Sequence, residues 1–166
     1  MTLEELLARE AIRKTMAKYT VSGDRLKIDE FVACFTEDGV IEASSTGGEV
    51  DFRYAGRDEI RAWQNRWRDG GPGEERPHRA TFLRHHLATS SIDITGPDAA
   101  VARTYWVAWT DIGPDHSGYY LDTFRKVGDQ WLIAHRAARM DWKSPDSLFG
   151  ALSRLSDDIL RAADSE

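Results

Sequence analysis

The chain has 166 residues, of which 41% are hydrophobic and 30% are charged. These values are typical of one globular domain and exclude a fibrous or wholly disordered chain. The 22 basic and 28 acidic side chains give a net charge of −6, so no diffuse positive field favours nucleic acid or anionic lipid. We therefore expect neither of these partners.

Cellular context is suggested by what the sequence lacks. Cys34 is the only cysteine, so neither an internal disulfide nor a cysteine-based zinc site can form. The N-terminus has no basic and apolar signal segment, and no stretch approaches the roughly 18 apolar residues that span a bilayer. The expected location is the cytoplasm.

The N-terminal half has a helical pattern. Thr2 and Glu5 have the spacing of a capping box, and apolar residues follow at helical intervals as far as Tyr19. Ser22-Gly23 is expected to end this first helix. Helical spacing over 28–35 then predicts a second, short helix, which a turn at Asp38-Gly39 ends.

Short strands and a third helix are predicted next. The strands are 40–43 and about 52–54, joined by a polar loop over 44–49. A helix is predicted from Arg57 to Trp67, and the glycine-rich segment 69–79 follows it.

From Thr81 onward the apolar residues alternate with period two. Strands are predicted at 82–94, 99–111, 117–127 and 130–142, with short turns between them that favour an antiparallel meander. A last helix is predicted to begin at Ser144-Pro145-Asp146. Helices followed by long strands indicate an α+β fold with helices on one face of a curved sheet.

The sequence has no nucleotide-binding glycine motif, nucleophile elbow or HExxH zinc motif. Candidate chemistry therefore rests on isolated polar residues. Tyr19 and Asp24 stand five residues apart at the first helix break and can face one cavity. Asp24 is equally compatible with an N-cap of the second helix. A carboxylate buried beside aromatic rings would instead be a useful proton acceptor.

His85 and His86 are adjacent on a predicted strand, so their side chains point to opposite faces and only one can enter a pocket. The alternation does not decide which one. A metal site built on the pair is not expected, because adjacent strand residues diverge and no third ligand has a recognisable spacing.

Further candidates lie on the later strands. Tyr120 and Asp122 share a face, where they can bind a hydroxyl or a carbonyl of a ligand. The alternative is a cross-strand ion pair of Asp122 with Arg103, Arg136 or Arg139. Trp106 and Trp109 fall on opposite faces of one strand, so one of them must leave the pocket side. The ligand-binding candidates are Tyr54, Trp106, Tyr120, Asp122 and Arg136.

Several segments together resemble the SnoaL-like branch of the nuclear transport factor 2-like superfamily. They are Ala11-Ile12-Arg13 through Tyr19 and Asp24, Phe35-Thr36-Glu37-Asp38-Gly39-Val40, Arg84-His85-His86-Leu87-Ala88-Thr89, Tyr120-Leu121-Asp122-Thr123-Phe124-Arg125, Trp131-Leu132-Ile133 and Asp141-Trp142. The resemblance covers most of the chain and implies a cone-shaped α+β barrel with an apolar pocket. This scaffold carries many reactions as well as pure binding functions.

Within this branch, Tyr19, Asp24 and a strand histidine are most similar to the pattern of scytalone and bile-acid dehydratases. The resemblance implies a cofactor-free dehydratase or isomerase that acts on a cyclic, largely apolar ketone or alcohol, such as a polyketide or steroid-like ring. Counting back from Ile92 favours His85 as the matching histidine, whereas the local His-Leu-Ala-Thr context fits His86. Tyr54 matches a pocket tyrosine of those enzymes, and Tyr120 occupies the region of their second strand histidine.

In the predicted mechanism Asp24 orients the histidine, His85 or His86 removes a proton next to a carbonyl, and Tyr19 or Tyr54 stabilises the enolate. The 69–79 loop and the C-terminal helix are the predicted covers of the pocket. The alternative is a non-catalytic binding or assembly subunit, similar to the small subunit of a ring-hydroxylating dioxygenase. A homodimer or higher homo-oligomer is expected in either case.

Overall fold

A computed structural model describes residues 1–44, 50–68 and 80–148. In these residues the elements are, in chain order, α1 (Leu3–Asp24), α2 (Ile28–Val32), β1 (Phe35–Ser44), β2 (Val50–Ala55), α3 (Arg57–Arg68), β3 (Arg84–Gly96), β4 (Ala99–Thr110), β5 (Gly113–Val127) and β6 (Gln130–Lys143). The predicted α+β order is confirmed. None of the described helices is long and apolar enough to cross a bilayer.

Six strands form one sheet in the order β2-β1-β6-β5-β4-β3. β1 and β6 run parallel, and all the other neighbours are antiparallel, including the predicted meander from β3 to β6. The sheet is curved but not closed, because β2 and β3 are edge strands in the described part of the chain. The barrel implied by the resemblance is therefore open.

The core lies between the sheet and the helices. The capping box at Thr2 and Glu5 starts α1, whose buried face of Ala8, Ile12, Met16 and Tyr19 packs on the sheet. Side chains from every later described element except β2 complete the buried cluster, among them Phe31, Phe35, Ile60, Ile92, Trp106, Phe124 and Ile133. Within residues 1–44, 50–68 and 80–148 the helices thus cover one face of the sheet and leave the other face open.

Two boundaries differ from the sequence predictions. α1 continues through Ser22-Gly23 to Asp24, because the Ser22 hydroxyl bonds to the carbonyls of Lys18 and Tyr19 inside the helix. Asp38-Gly39 lies within β1, at an irregularity in its pairing with β6, rather than in a turn. The predicted loop at 45–49, the 69–79 segment and most of the C-terminal helix lie outside the described residues.

β5 begins earlier than predicted, at Gly113, and it is held close to β6. A Cβ atom at Gly118 would lie 1.8 Å from the carbonyl oxygen of Arg139 and 2.9 Å from Cα of Met140. Only glycine permits this approach, which coincides with a register shift between the two strands. The earlier start brings Asp115 and His116 into the sheet.

Candidate functional site

Asp24 and His85 are hydrogen-bonded to each other, although 61 residues separate them in the sequence. Asp24 Oδ1 lies 2.6 Å from His85 Nδ1, and Asp24 Oδ2 accepts the backbone N–H of His85 at 2.9 Å. The Asp24 side chain is only 6% exposed, whereas His85 is 24% exposed. Both oxygens of Asp24 thus hold His85, and the imidazole of His85 remains accessible to solvent.

The end of α1 places Asp24 at this position. The helix closes in a Schellman arrangement, in which the N–H of Leu26 bonds to the Gly23 carbonyl and that of Lys27 to the Ser22 carbonyl. Leu26 adopts a φ of 52°, where glycine is the usual residue. The alternative role of Asp24 as N-cap of α2 is wrong, because Lys27 is the N-cap and no side chain caps this helix.

A carboxylate in the last turn of a helix is not favoured by the helix dipole, whose negative end lies there. Donors from outside the helix must therefore stabilise Asp24. His85 supplies two of them, one from its ring and one from its backbone. The pair accordingly joins α1 to the edge strand β3.

The structure separates His85 from His86. The His85 ring lies 5.8 Å from the buried ring of Trp106, whereas exposed His86 lies 6.0 Å from Trp109 on the other face of the sheet. His86 therefore does not reach Asp24, and the prediction that it can serve as the pocket histidine does not fit the geometry. Trp106 is buried and Trp109 is 40% exposed, which confirms the split expected for this pair.

Alternation on β3 fails to predict these faces because the strand contains a bulge. Leu87 pairs with Trp106 and Ser90 with Thr104, so an advance of three residues along β3 lies opposite an advance of two residues along β4. Inward-facing residues therefore change from odd numbers, at His85 and Leu87, to even numbers at Ser90 and beyond. A simple period-two reading across the bulge assigns one half of the strand to the wrong face.

A second acid–imidazole pair, which the sequence analysis did not predict, lies beside the first. His116 is buried, its ring centroid is 6.3 Å from that of His85, and its Nδ1 lies 2.7 Å from Asp115 Oδ1. Burial lowers the pKa of His116, and the nearby His85 lowers it further against the opposing effect of Asp115. His116 is thus a second histidine near the site, in addition to His85.

Asp115 also anchors the chain after β6. Its carboxylate accepts the Thr110 hydroxyl at 2.9 Å and the Leu148 backbone N–H at 2.8 Å, in addition to the hydroxyl of Ser147. Burial disfavours the charged carboxylate, but these hydrogen bonds and the one with His116 outweigh it and hold the pKa of Asp115 below its usual value. The segment that follows β6 is therefore tied to the same place as the two histidines.

Arg136 and Asp122 form a fully buried ion pair. Arg136 Nε and Nη2 donate to the two oxygens of Asp122 at 2.8 and 2.7 Å. The guanidinium carbon lies 4.0 Å from the ring centroid of Tyr19 and 4.1 Å from that of Tyr120. Although burial disfavours the cation, Asp122 raises the pKa of Arg136 above its usual value.

This ion pair is the cross-strand alternative considered for Asp122, so the two predicted ligand-binding charges neutralise each other. Burial raises the pKa of both Tyr19 and Tyr120, and their hydroxyls therefore remain protonated near neutral pH. Arg136 Nη1 is a buried donor that finds no hydrogen-bond partner among the described residues. The four residues form a rigid polar centre behind the Asp24–His85 pair.

Tyr54 lies at one end of a row of aromatic side chains, and Tyr19 lies at the other end. Its ring is 5.6 Å from Trp63, which is 6.1 Å from Phe31, and Phe31 lies 4.6 Å from Tyr19. Several aromatic rings thus separate Tyr54 from the Asp24–His85 pair. Tyr19 is linked to this pair by ring contacts through Tyr120 and Trp106. Of the two predicted tyrosines, only Tyr19 lies near the aromatic residues beside the Asp24–His85 pair.

Potential metal ligands do not gather elsewhere. No group of three or more His, Cys, Asp or Glu side chains in the described ranges could hold a metal ion. The polar groups near His85 are used in hydrogen-bonded pairs, and each carboxylate has its own positive or imidazole partner. The chemistry offered by this arrangement is proton transfer at the imidazole of His85.

An open α+β sheet covered by N-terminal helices is the architecture of nuclear transport factor 2-like proteins. A family model for the SnoaL-like domain matches residues 4–137, and the chain belongs to this family. No curated protein matches the chain.

Solved structures with the same fold include proteins of different assigned roles. A provisionally assigned scytalone dehydratase from Novosphingobium aromaticivorans is 26% identical over 87% of this chain and 91% of its own, with a TM-score of 0.68. Rv3472 from Mycobacterium tuberculosis, of unknown function, is 22% identical over 96% and 92%, with a TM-score of 0.76. The beta subunit of a provisionally assigned aromatic-ring-hydroxylating dioxygenase from N. aromaticivorans is 17% identical over 87% and 95%, with a TM-score of 0.70.

Proposed function

We propose that the protein is a cofactor-free lyase (dehydratase) or isomerase that acts on a cyclic, largely apolar ketone, or on an alcohol activated by a neighbouring ketone, and removes a proton next to the carbonyl. The observation that carries this proposal is the use of both Asp24 oxygens on His85. The likeness to a provisionally assigned scytalone dehydratase supports a reaction of this class.

The geometry assigns a role to each ring nitrogen of His85. When Nδ1–H donates to Asp24 Oδ1, the lone pair of the neutral imidazole is on Nε2, and the carboxylate stabilises the imidazolium that forms when Nε2 takes a proton. The backbone hydrogen bond from His85 to Asp24 fixes the orientation of the pair. Asp24 is thus the positioning residue and His85 the catalytic base.

The proposed dehydration is an elimination through an enolate. His85 Nε2 accepts the proton from the carbon next to the carbonyl, and the electron pair of the broken C–H bond moves onto the carbonyl oxygen. When the enolate collapses, a carbon–carbon double bond forms and the C–O bond of the β-hydroxyl breaks. The departing hydroxide takes up the proton that His85 accepted and leaves as water, so His85 returns to its neutral form. In an isomerase, His85 returns the proton to a different carbon.

The surroundings of the pair favour an apolar ring as the substrate. Trp106 and Tyr120 stack at 5.6 Å beside His85, and Tyr19 lies 6.1 Å beyond Tyr120. Aromatic walls exclude water and accept flat or cyclic ligands such as polyketide or steroid-like rings. The protonated hydroxyl of Tyr19 is the predicted donor to the developing enolate or leaving group.

Deuterium exchange into 1-tetralone tests the base without requiring the natural substrate. In D₂O the protein is expected to accelerate exchange at the carbon next to the ketone, followed by proton NMR. Asp24→Asn and His85→Ala should each lower this rate by about 10² to 10⁴. His86→Ala, on the outer face, is the matched control and should keep the full rate.

Each variant is first compared with the unmodified protein by circular dichroism and thermal unfolding. A folded Asp24→Asn variant that exchanges 1-tetralone at the normal rate would contradict the proposal. The same holds if His86→Ala, but not His85→Ala, loses the activity.

The leaving group is tested with 3-hydroxy-1-tetralone. Elimination of water across the bond between its second and third ring carbons yields the keto form of 1-naphthol, which aromatises to a fluorescent product. A dehydratase is expected to form 1-naphthol, whereas an isomerase would exchange the proton of 1-tetralone without forming it. This comparison separates the two reactions that the dyad supports.

A second candidate is a non-catalytic assembly subunit, which the open face of the sheet favours. Val101, Tyr105, Trp109 and Leu121 are each about two-fifths exposed on β4 and β5, on the face that the helices leave uncovered. If this role applies, Leu121→Glu should dissociate a homo-oligomer in sedimentation experiments, and 1-tetralone exchange should match the protein-free rate. An active protein that Leu121→Glu leaves unchanged in mass would exclude it.

A further inference from the structure

The indole of Trp106 carries a buried hydrogen-bond donor without a partner. Its Nε1 atom is inaccessible to solvent, and it has no hydrogen-bond partner in the part of the chain that the structure describes. A buried N–H without a partner destabilises the folded protein. Native proteins rarely keep such a group unless a water or a ligand satisfies it.

The position of this indole points to a ligand. The Trp106 ring lies 5.8 Å from His85, 5.5 Å from His116 and 5.6 Å from Tyr120, so the candidate base and both its polar neighbours surround it. Trp109, three residues along the same strand, is exposed on the opposite face and has none of these neighbours.

We infer that the Trp106 Nε1–H is the hydrogen-bond donor that receives an oxygen of the ligand beside His85. This inference rests on the proposed function and specifies it: the ligand presents a carbonyl, enolate or phenol oxygen to Trp106, with its ring against Tyr120. Indole is a donor only, so the site selects an acceptor oxygen and disfavours a purely hydrocarbon ligand.

The test compares 1-naphthol with naphthalene, which has the same ring system without the oxygen. The unmodified protein is expected to bind 1-naphthol more tightly than naphthalene. Trp106→Phe keeps an aromatic ring but removes the N–H, and should weaken 1-naphthol binding by about three- to tenfold while leaving naphthalene binding unchanged. Trp109→Phe is the matched control and should change neither.

Proton–nitrogen NMR of the indole groups provides a second readout. The Trp106 signal, identified by its loss in Trp106→Phe, should move downfield when 1-naphthol binds and should not move with naphthalene. A Trp106 signal that stays in place would overturn the inference and indicate a buried water as the partner. Equal binding of the two compounds, or binding of neither, would also overturn it.

Failure of this inference can be distinguished from failure of the proposed function. If the unmodified protein exchanges 1-tetralone but the Trp106 signal does not respond to 1-naphthol, only the inference fails. If the signal responds but no exchange occurs, the oxygen-binding role of Trp106 stands and the catalytic proposal fails.

Discussion

Replacing Asp24 with Asn tests how the acid–imidazole pair works, because it removes the charge with little change of shape. Asp24 accepts two N–H groups of His85, one on each oxygen. An Asn side chain has one acceptor oxygen and one NH₂ group. If the oxygen keeps the backbone N–H, the NH₂ group faces Nδ1, which must then become an acceptor.

The proton of the neutral imidazole therefore moves to Nε2, the nitrogen that must accept the substrate proton. We expect the exchange rate of 1-tetralone to fall by about 10² to 10⁴, the usual contribution of a positioned general base. Hydrogen bonds to charged groups contribute about 1.5–3 kcal/mol and neutral ones about 0.5–1.5 kcal/mol, so exchanging the charged acceptor for a neutral amide should lower the free energy of unfolding by about 1–2 kcal/mol.

Three measurements on the same variant check this reasoning. Nitrogen shifts of the His85 ring report which nitrogen carries the proton, urea denaturation gives the free energy of unfolding, and NMR gives the exchange rate. Asp93→Asn, which removes an exposed carboxylate from the same strand as His85, controls for the change in net charge. The reasoning is refuted if Asp24→Asn keeps the proton on Nδ1 and retains the full exchange rate.

Three further changes probe the surrounding structure. Gly118→Ala places a methyl group 1.8 Å from the Arg139 carbonyl and should cost about 3 kcal/mol in urea denaturation; a loss below 1 kcal/mol would contradict the close strand approach. Asp122→Leu leaves the Arg136 charge buried and unpaired and should cost about 3–5 kcal/mol, whereas Asp122→Leu with Arg136→Met should recover most of it. The pKa of His116 is lower in the folded protein than the value of about 6.5 in the unfolded chain, so the unfolded chain binds more protons between these two pKa values. As the pH is lowered below about 6.5, the free energy of unfolding should therefore decrease, and it should decrease less in His116→Gln.

Much of the fold is predictable because its patterns are local. Alternating apolar residues place the four long strands to within a few residues, and the capping box starts the first helix correctly. Boundaries fail where an element accommodates residues that are typical of a break. Ser22-Gly23 resembles a helix break, but the Ser22 hydroxyl bonds to carbonyls of the preceding turn and the helix continues to Asp24.

The site is less predictable, since it depends on features with no local signature. The bulge between Leu87 and Ser90 decides which face His85 occupies, and no residue type there announces it. His116 is missed because Gly113-Pro114 resembles a turn and the strand is predicted to start at 117. Extending the alternation of Tyr120 and Asp122 backwards by two more pairs of residues would have placed His116 on their face.

In the described residues three covered carboxylates, Asp24, Asp115 and Asp122, are each paired with one basic side chain, and solvent exposure distinguishes the pair able to react. Arg136 and Asp122 are both fully buried, and His116 and Asp115 are 3% and 0% exposed. In the Asp24–His85 pair the Asp24 side chain is 6% exposed, whereas His85 is 24% exposed. The two pairs in which both partners are covered expose no basic nitrogen to a substrate proton, and we assign them to stabilising the fold or positioning their neighbours. A buried acid behind a reachable imidazole has the asymmetry that proton transfer to a ligand requires, which is why the proposed reaction is assigned to Asp24 and His85.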